Sequence, residues 1–361
     1  MIPTDLPVHI EQDKTARAKV IDACGLTCTF CHNEGTPVAV DNRRRPVGDF
    51  TIAGPSGRMS IYAATNGANF LPAPMPANEH FGRALVALCD VLRLTEVHLT
   101  GGEPTLHPAI ARLTKIATEA GLRVGMTSNG EHGAEVLPDC AAAGLDRVNF
   151  SIFGTTADEL AETQHARNRN PERAQRKIDA LKRSIAVCEA HGVKAGANIV
   201  VLDYSHAPRV HRMLDEYSSH LSVRLLNSLD HGPASVEAIE RILAEREAVA
   251  EAHYITAGVS GARTAYRLAD GRRVSFKQIR RVRLPETCAG CRFNNDTDCQ
   301  EGFYGVRLYY DRDGRYQVGV CIQRMDLTMP LDDFLTGPVP AEVLALREVE
   351  YDRLTRHHAA A

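Results

Sequence analysis

Residues 18–31 read AKVIDACGLTCTFC, a short apolar run followed at once by three closely spaced cysteines. The run has the length and the β-branched content of a buried strand, so Cys24, Cys28 and Cys31 are predicted to lie on the loop after it. Three thiolates on one loop can bind three irons of a [4Fe–4S] cube and leave the fourth iron without a protein ligand. The alternative is zinc, for which His32 would complete a closed set of four ligands.

From there to about residue 230, strand patterns alternate with amphipathic helical patterns. Strands are predicted at 18–22, 96–100, 123–128, 147–153, 195–202 and 222–226, and helices at 82–94, 109–121 and 172–192. Gly121 and Gly192 follow the last apolar turn of the second and third helices, as C-caps do. This alternation predicts an α/β fold with a parallel sheet, either open or rolled toward a barrel.

Composition excludes several classes of protein. The 361-residue chain has a net charge of −3 and 24% charged residues, so neither a basic nucleic-acid-binding surface nor an acidic disordered tail is expected. No apolar run reaches the about eighteen residues of a membrane span, and residues 1–14 lack the features of a secretory signal. We therefore expect a cytoplasmic protein without nucleic-acid or membrane partners, in which clustered cysteines bind metal rather than form disulfides.

The spacing C-x3-C-x2-C, with the aromatic Phe30 before the last cysteine, resembles the signature of the radical S-adenosylmethionine (radical SAM) superfamily. Further along, the motif at 101–104 is similar to that family's Gly-Gly-Glu-Pro element, which contacts the SAM amino group. Polar residues at the ends of the third, fourth and fifth strands match those that line the SAM carboxylate and ribose. The resemblance implies a SAM site made by Phe30, Gly101, Gly102, Glu103, Pro104, Ser128, Asn129, Ser151 and Asn198.

The resemblance also implies a fold and a chemistry. The family fold is a partial (β/α)6 barrel with the site at the C-terminal ends of the strands, and the six predicted strands match that number. In the family, SAM chelates the open iron, and an electron from the cluster cleaves SAM to methionine and a 5′-deoxyadenosyl radical. The radical abstracts hydrogen from the substrate, and a donor such as flavodoxin or ferredoxin supplies the electron.

Four further cysteines lie near the C-terminus: Cys288, Cys291, Cys299 and Cys321. The C-x2-C pair, together with VRLYYDRDGRYQVGVC at 306–321, resembles the C-terminal region of the molybdenum-cofactor GTP cyclase branch. That resemblance implies an auxiliary [4Fe–4S] cluster at these cysteines and a substrate contact at Arg17 and Arg307. Cys299 has no counterpart in that branch, and the chain lacks its terminal double glycine, so GTP itself is not the expected substrate.

Two arrangements of the auxiliary site stay open. If all four cysteines bind, the cluster is closed and serves structure or electron transfer, which is the arrangement we favour. If Cys299 does not bind, one iron stays open for substrate. A structural zinc in the four thiolates is the alternative metal.

The domain organisation predicted from these patterns has four parts. Residues 1–235 form the radical SAM barrel with an irregular insertion at 32–80, and residues 236–259 form a linker helix. Residues 260–330 form an auxiliary-cluster domain with two hairpins, turning at the Asp-Gly pairs 270–271 and 313–314. A C-terminal helix occupies 331–361.

The expected function is a radical reaction on a small molecule. The sequence does not identify the catalytic residues. A nucleotide, nucleoside or sugar-like substrate from cofactor or natural-product biosynthesis is favoured, for cyclisation, C–C bond formation or oxidation. The first alternative is a radical SAM peptide maturase, and the second is a non-catalytic metal-binding scaffold. His98 precedes the Gly-Gly-Glu-Pro motif and is interpreted as a core histidine rather than one that faces the barrel interior.

Overall fold

The computed structural model of the chain describes residues 6–28, 31, 70, 72–229, 231–291, 293–295, 298–322 and 324–359. The chain forms two compact units, each assembled from segments distant in sequence. The cysteine-loop unit comprises Lys14–Ala195 and Val306–Gly337, and the terminal unit comprises Met1–Asp13, Gly196–Gly305 and Pro338–Ala361. The predictions for Phe30 and for most of the 32–80 insertion lie outside the described residues.

The cysteine-loop unit is a sheet with helices between its parallel strands. Its strands are β2 (Thr15–Ile21), β3 (Glu96–Gly101), β4 (Arg123–Ser128), β5 (Leu145–Ser151), β11 (Val306–Tyr310), β12 (Tyr316–Gly319) and β13 (Met329–Pro330). Its helices are α1 (Glu79–Leu92), α2 (Ile110–Glu119), α3 (Gly133–Ala142), α4 (Ala157–Glu162), α5 (Pro171–Ala190) and α8 (Leu331–Thr336). The strand order is β5-β4-β3-β2-β11-β12-β13. The pairs from β5 to β11 are parallel, whereas β12 is antiparallel to both of its neighbours.

Alternation along β2–β5 separates an apolar face from a polar face. The apolar face is fully buried and consists of Ala16, Ala18, Val20, Val97, Leu99, Val124, Met126, Val148 and Phe150. The opposite face carries Arg17, Lys19, His98, Thr100, Thr127, Asn149 and Ser151, placed side by side by the strand register. Burial of each large apolar side chain contributes roughly 1.5–3 kcal/mol, so the apolar face fixes the register that aligns the polar one.

The terminal unit contains strands of mixed orientation. Its strands are β1 (Val8–Gln12), β6 (Lys194–Val201, whose first two residues belong to the other unit), β7 (Ser222–Asn227), β8 (Val249–Ala257), β9 (Gly261–Arg267) and β10 (Arg273–Ile279). Its helices are α6 (Ala207–Glu216), α7 (Gly232–Glu245) and α9 (Val339–Ala359). The order is β1-β8-β9-β10-β7-β6, with β9 antiparallel to both neighbours and the other pairs parallel.

The predicted α/β class is confirmed, and the six predicted strands are β2–β7. The two predicted hairpins are β9–β10 and β11–β12, whose turns place Gly271 and Gly314 at φ of 84° and 83°. Both values lie in the left-handed region, which favours glycine, and this explains why each turn has a glycine after its aspartate. No helix in the described part of the chain is both long and apolar enough to cross a membrane.

The predicted linker helix 236–259 is wrong beyond Glu245. Helix α7 ends there, Glu247 adopts a left-handed φ of 51°, and β8 follows as a strand. The Ala- and Glu-rich stretch after Glu245 favours a helix locally, but pairing with β1 on one side and β9 on the other overrides that propensity. The other predicted domain boundaries stay predictions.

Candidate active site

The Gly-Gly-Glu-Pro motif lies against the backbone that leads into the cysteine loop. Gly102 N donates to the Ile21 carbonyl at 2.7 Å, and Glu103 N donates to the Ala23 carbonyl at 2.8 Å. Gly101 has a φ of 150°, and a Cβ on either glycine would clash with main-chain oxygens of residues 21–23. Both glycines are therefore needed for this close approach, which fixes the start of the loop that carries Cys24.

Glu103 joins the motif to the end of β4. Its buried carboxylate, 1% exposed, accepts hydrogen bonds from Thr105 N at 3.0 Å and Thr105 Oγ1 at 2.7 Å. It also accepts from Ser128 Oγ at 2.7 Å and Asn129 N at 2.6 Å. Burial raises the pKa of Glu103, and these hydrogen bonds oppose that rise. The carboxylate also caps the helical turn that begins at Pro104.

Residues after β4 contact the first cysteine. Asn129 Nδ2 donates to Cys24 Sγ at 3.6 Å, and Asn129 Oδ1 accepts from Glu131 N at 2.9 Å. Gly25 N donates to Glu131 Oε1 at 2.7 Å, and Lys177 of α5 forms an ion pair with the same carboxylate. The loop from Ser128 to Glu131 therefore holds the first cysteine by two routes.

A buried glutamine holds the second cysteine. Gln164, 6% exposed, accepts a hydrogen bond from Thr27 N at 2.6 Å and donates through Nε2 to Cys28 Sγ at 3.6 Å. His165 N donates to the Thr27 carbonyl at 3.0 Å. Cys31 N donates to the Cys28 carbonyl at 3.2 Å.

Sequence patterns missed Glu131 and Gln164, which bond to this loop, and Lys177, which pairs with Glu131. Glu131 bonds a residue 106 positions earlier, and Gln164 bonds one 137 positions earlier. In sequence, each reads as an ordinary polar residue near a helix. We find no local signal that would have identified them.

The predicted SAM contacts fall into three groups. Asn129 and Ser151 line one cavity together with Leu26, Phe153 and Lys177, so the structure brings these two predicted residues together. Gly101, Gly102, Glu103, Pro104 and Ser128 form the network beside it, as described above. Asn198 lies half-buried on β6 in the terminal unit.

The donor set of the cysteine loop fits an iron–sulfur cluster. Two of its three sulfurs, those of Cys24 and Cys28, accept N–H bonds from side-chain amides, an arrangement that stabilises negatively charged cluster sulfur. Within the described ranges, no three His, Cys, Asp or Glu side chains are grouped closely enough for a single metal ion. A cube does not need such a group, because each thiolate binds a different iron.

The auxiliary cysteines lie in irregular segments of both units. Cys291 N donates to the Cys288 carbonyl at 3.2 Å, and the Cys299 carbonyl accepts from Arg283 at 3.2 Å, all within the terminal unit. Cys321 follows β12 in the cysteine-loop unit, and its sulfur accepts from Arg324 N at 3.3 Å. All four side chains are half-buried. Their joint binding of a cluster stays a prediction.

The polar sheet face carries a row of basic residues. Register places Arg307 of β11 beside Arg17 of β2, and Arg17 beside His98 of β3. His98 is 6% exposed, and its Nε2 lies 2.7 Å from Thr127 Oγ1 on the same face. The next residue of β3 on that face is Thr100, whose buried hydroxyl has no hydrogen-bond partner among the described residues. The expectation that His98 is buried and satisfied is met, although it lies on the polar face.

The family model of the radical SAM superfamily matches residues 19–204, which include the three cysteines, the Gly-Gly-Glu-Pro motif and β3–β6. The chain belongs to the radical SAM superfamily. Membership implies a [4Fe–4S] cluster and SAM as cofactors. This is the chemistry that the cysteine loop and its neighbouring network fit.

The radical SAM chain is similar to curated cyclases over part of its length. It is 30% identical over 168 residues to a probable GTP 3′,8-cyclase of Methanopyrus kandleri, covering 46% of this chain and 43% of the cyclase. It is 35% identical over 85 residues to the PqqA peptide cyclase of Methylorubrum populi, covering 23% and 22%. The chain thus spans less than half the length of these relatives.

Solved structures with bound S-adenosylmethionine also resemble this one. The Streptococcus suis SuiB structure bound to S-adenosylmethionine is 14% identical and covers 92% of this chain and 68% of SuiB, with a TM-score of 0.46. A native anSMEcpe structure with bound AdoMet is 13% identical and covers 66% of this chain and 60% of its own, with a TM-score of 0.38.

Proposed function

We propose that this radical SAM enzyme reductively cleaves SAM to a 5′-deoxyadenosyl radical and uses it to abstract hydrogen from a small-molecule substrate. The observation that carries the proposal is the network around Glu103, which connects the predicted SAM-binding segments to the backbone before Cys24. When bound, the cluster supplies the electron that cleaves SAM. The chain's own residues hold that cluster and SAM in one fixed geometry.

Each part of the network has a defined task in this proposal. Cys24, Cys28 and Cys31 bind the cluster, and the amides of Asn129 and Gln164 orient the first two sulfurs. The predicted SAM contacts are Phe30, Gly101, Gly102, Glu103, Pro104, Ser128, Asn129, Ser151 and Asn198. Because Glu103 is already an acceptor for Ser128 and Asn129, it also keeps the two predicted SAM-binding loops at a fixed separation.

SAM cleavage tests this proposal against the non-catalytic scaffold. The anaerobically reconstituted protein is reduced with dithionite in the presence of SAM, and 5′-deoxyadenosine is quantified by chromatography. We expect release by the wild type and none by Cys28→Ala, with Cys89→Ala on helix α1 as the matched control that retains release. A wild type that binds iron but releases no 5′-deoxyadenosine would support the scaffold.

The basic row favours an anionic substrate, such as a nucleotide or a phosphorylated sugar. Arg17 and Arg307 are the predicted substrate contacts, and His98 lies in register beside Arg17. Guanidinium groups bind phosphate oxygens through paired, charge-assisted hydrogen bonds. The partial similarity to GTP 3′,8-cyclases supports the same class of substrate.

Equilibrium binding tests this assignment, with GTP, ATP, guanosine and a nucleotide sugar as probes. Losing a charge-assisted contact costs about 1.5–3 kcal/mol, so Arg17→Ala and Arg307→Ala should each weaken binding of the phosphorylated probes by roughly 10- to 100-fold. Arg83→Ala is the control, because that side chain is 64% exposed on α1. Tighter binding of guanosine than of any phosphorylated probe would contradict an anionic substrate.

A peptide maturase is the alternative function, and the similarity to the PqqA peptide cyclase is the observation that favours it. Short peptides encoded beside the gene are incubated with the enzyme, SAM and dithionite, and their masses are measured. A peptide that loses two hydrogens in a SAM-dependent manner would establish the maturase. An unchanged peptide mass with turnover of a phosphorylated small molecule would exclude it.

We also propose that Cys288, Cys291, Cys299 and Cys321 bind an auxiliary [4Fe–4S] cluster. Two clusters require about eight irons per chain, and one requires about four. Iron and sulfide analysis of Cys288→Ser and Cys299→Ser should therefore show a loss of about four irons in each if all four cysteines bind. Full iron retention in Cys299→Ser alone would indicate an open auxiliary iron. We further propose that the protein is cytoplasmic and that a donor such as flavodoxin or ferredoxin supplies the electron to the SAM-binding cluster.

A further inference from the structure

The Glu131 carboxylate is the centre of a buried charge network beside the first cysteine. Its side chain is 1% exposed, accepts from Gly25 N at 2.7 Å and forms an ion pair with Lys177, whose side chain is 22% exposed. Asn129 Nδ2 lies 3.4 Å from Glu131 Oε1 and donates to Cys24 Sγ. One carboxylate therefore contacts the backbone after Cys24, the amide that bonds its sulfur, and a cation.

The fold is adapted to this contact at two positions. A Cβ at Gly25 would clash with the Glu131 carboxylate, so the carboxylate can approach the loop only because residue 25 is glycine. Ser184 of α5 donates to the Gly130 carbonyl at 2.7 Å, which holds the helix that carries Lys177 against the loop that carries Glu131. Helix α5 and the loop after β4 therefore present the pair to the cysteine loop as one assembly.

Lys177 also interacts electrostatically with the centre of the site. Burial lowers the pKa of Lys177, and the negative charges of Cys24 and Glu103 raise it. Two charges of opposite sign, largely withdrawn from water, thus lie beside a cysteine that is predicted to bind iron. In a site of low dielectric, such charges change the free energy of adding an electron to a nearby cluster far more than surface charges do.

We propose that the Glu131–Lys177 ion pair positions the cysteine loop and sets the reduction potential of the cluster held there. The inference rests on the proposed function, because it requires a cluster at Cys24, Cys28 and Cys31. Glu131 holds the loop through Gly25, and Lys177 balances its charge. Removal of either charge leaves the other one unbalanced next to the cluster, so the two removals act in opposite directions.

The test compares Lys177→Met, Glu131→Gln and the double variant with the wild type. Lys182→Met, an exposed lysine on the same helix, is the control. The midpoint potential is measured by redox titration of the electron paramagnetic resonance signal that changes when SAM is added. Iron and sulfide are measured on the same samples. We expect a lower potential in Lys177→Met, a higher one in Glu131→Gln, and values near the wild type in the double variant and the control.

Three results would overturn the inference. The first is a shift of both single variants in the same direction, which indicates a purely structural role. The second is no shift in either variant at wild-type iron content. If Lys177→Met loses its iron, Lys177→Arg should retain both iron and potential, and equal iron loss in both would also overturn the inference. A wild-type signal that does not respond to SAM would instead contradict the proposed function.

Discussion

Glu103 connects two loops of the site through one carboxylate. Its oxygens accept four hydrogen bonds, from Thr105, Ser128 and the Asn129 backbone, in a position 1% exposed. An amide in its place has only one acceptor oxygen, and its NH2 group must face a donor. The hydrogen-bond network therefore requires the two acceptor oxygens of a carboxylate, in addition to its negative charge.

Glu103→Gln is expected to lower the free energy of unfolding by about 1–3 kcal/mol, because it leaves a buried donor without an acceptor. Urea unfolding, monitored by circular dichroism, measures the change. Glu119→Gln serves as the control, since that side chain is 63% exposed on α2. Equal stability of the two variants would show that the Glu103 network contributes no net stability.

The buried His107 is expected to make the stability of the fold depend on pH. Its Nε2 lies 2.9 Å from the Met75 carbonyl oxygen, and its Nδ1 accepts a hydrogen bond from Ala109 N. Because Nδ1 can accept only when it carries no proton, this arrangement requires the neutral ring. Burial lowers the pKa of His107, and the Met75 contact opposes that shift only in part. Below about pH 6.5 the unfolded chain binds a proton that the folded chain does not, so stability falls as pH falls toward the lowered pKa.

The urea midpoint of the wild type should therefore fall more between pH 7 and pH 5.5 than that of His107→Gln. The exposed His220→Gln should retain the full dependence of the wild type. A wild-type pH dependence that persists unchanged in His107→Gln would assign the effect to other groups.

At the scale of elements, the turn at 101–102 determines where the cysteine loop begins. Gly102→Ala places a methyl group against the carbonyl oxygens of Asp22 and Ala23, and backbone cannot yield as a flexible side chain does. A displacement of about 1 Å costs roughly 100-fold in rate, so 5′-deoxyadenosine formation should fall by that order. Gly121→Ala is the matched control, because Gly121 has a φ of 82° with open space around its Cβ position.

The control variant carries the strain of an unfavourable φ, about 1 kcal/mol, without a clash near the site. It should keep wild-type iron content and SAM cleavage while losing a little stability. Comparable loss of cleavage in both variants would mean that general destabilisation, and not the cysteine loop, explains the Gly102 effect.

Local sequence patterns predicted the helices and strands well where the local sequence itself determines the conformation. The strands β2–β7 have apolar runs of strand length, and each Asp-Gly hairpin has a glycine where the turn needs a positive φ. Strand β8 was missed because partners distant in sequence decide its conformation. Residues Glu131, Gln164 and Lys177 were missed for the same reason, since only folding brings them to the cysteine loop.

At the scale of the whole molecule, helix α9 is part of the terminal unit rather than an appendage. Glu350 on α9 accepts from Gly258 N at 2.7 Å and forms an ion pair with Arg280. Arg347 on the same helix pairs with Asp13, just after β1, at 3.4 Å in a fully buried position. The helix thus connects the start of the chain to the segment after β8.

Glu350→Ala leaves the buried Gly258 amide without its acceptor, while Arg280 keeps its bonds to the Thr256 and Val259 carbonyls. An unsatisfied buried donor costs about 1–3 kcal/mol. Limited proteolysis should then cleave the α9 segment faster than in the wild type, whereas Glu348→Ala, on the same helix, should not change the rate. Equal protection of both variants would show that the Glu350 contacts are not needed to hold α9 in place.

In the proposed mechanism, a cluster on Cys24, Cys28 and Cys31 keeps one iron available to SAM. The most direct test is the electron paramagnetic resonance spectrum of the dithionite-reduced protein, recorded anaerobically before and after SAM is added. We predict a reduced [4Fe–4S] signal that SAM changes in the wild type, and no SAM-responsive signal in Cys24→Ala. A wild-type spectrum identical with and without SAM, at full iron content, would contradict the account.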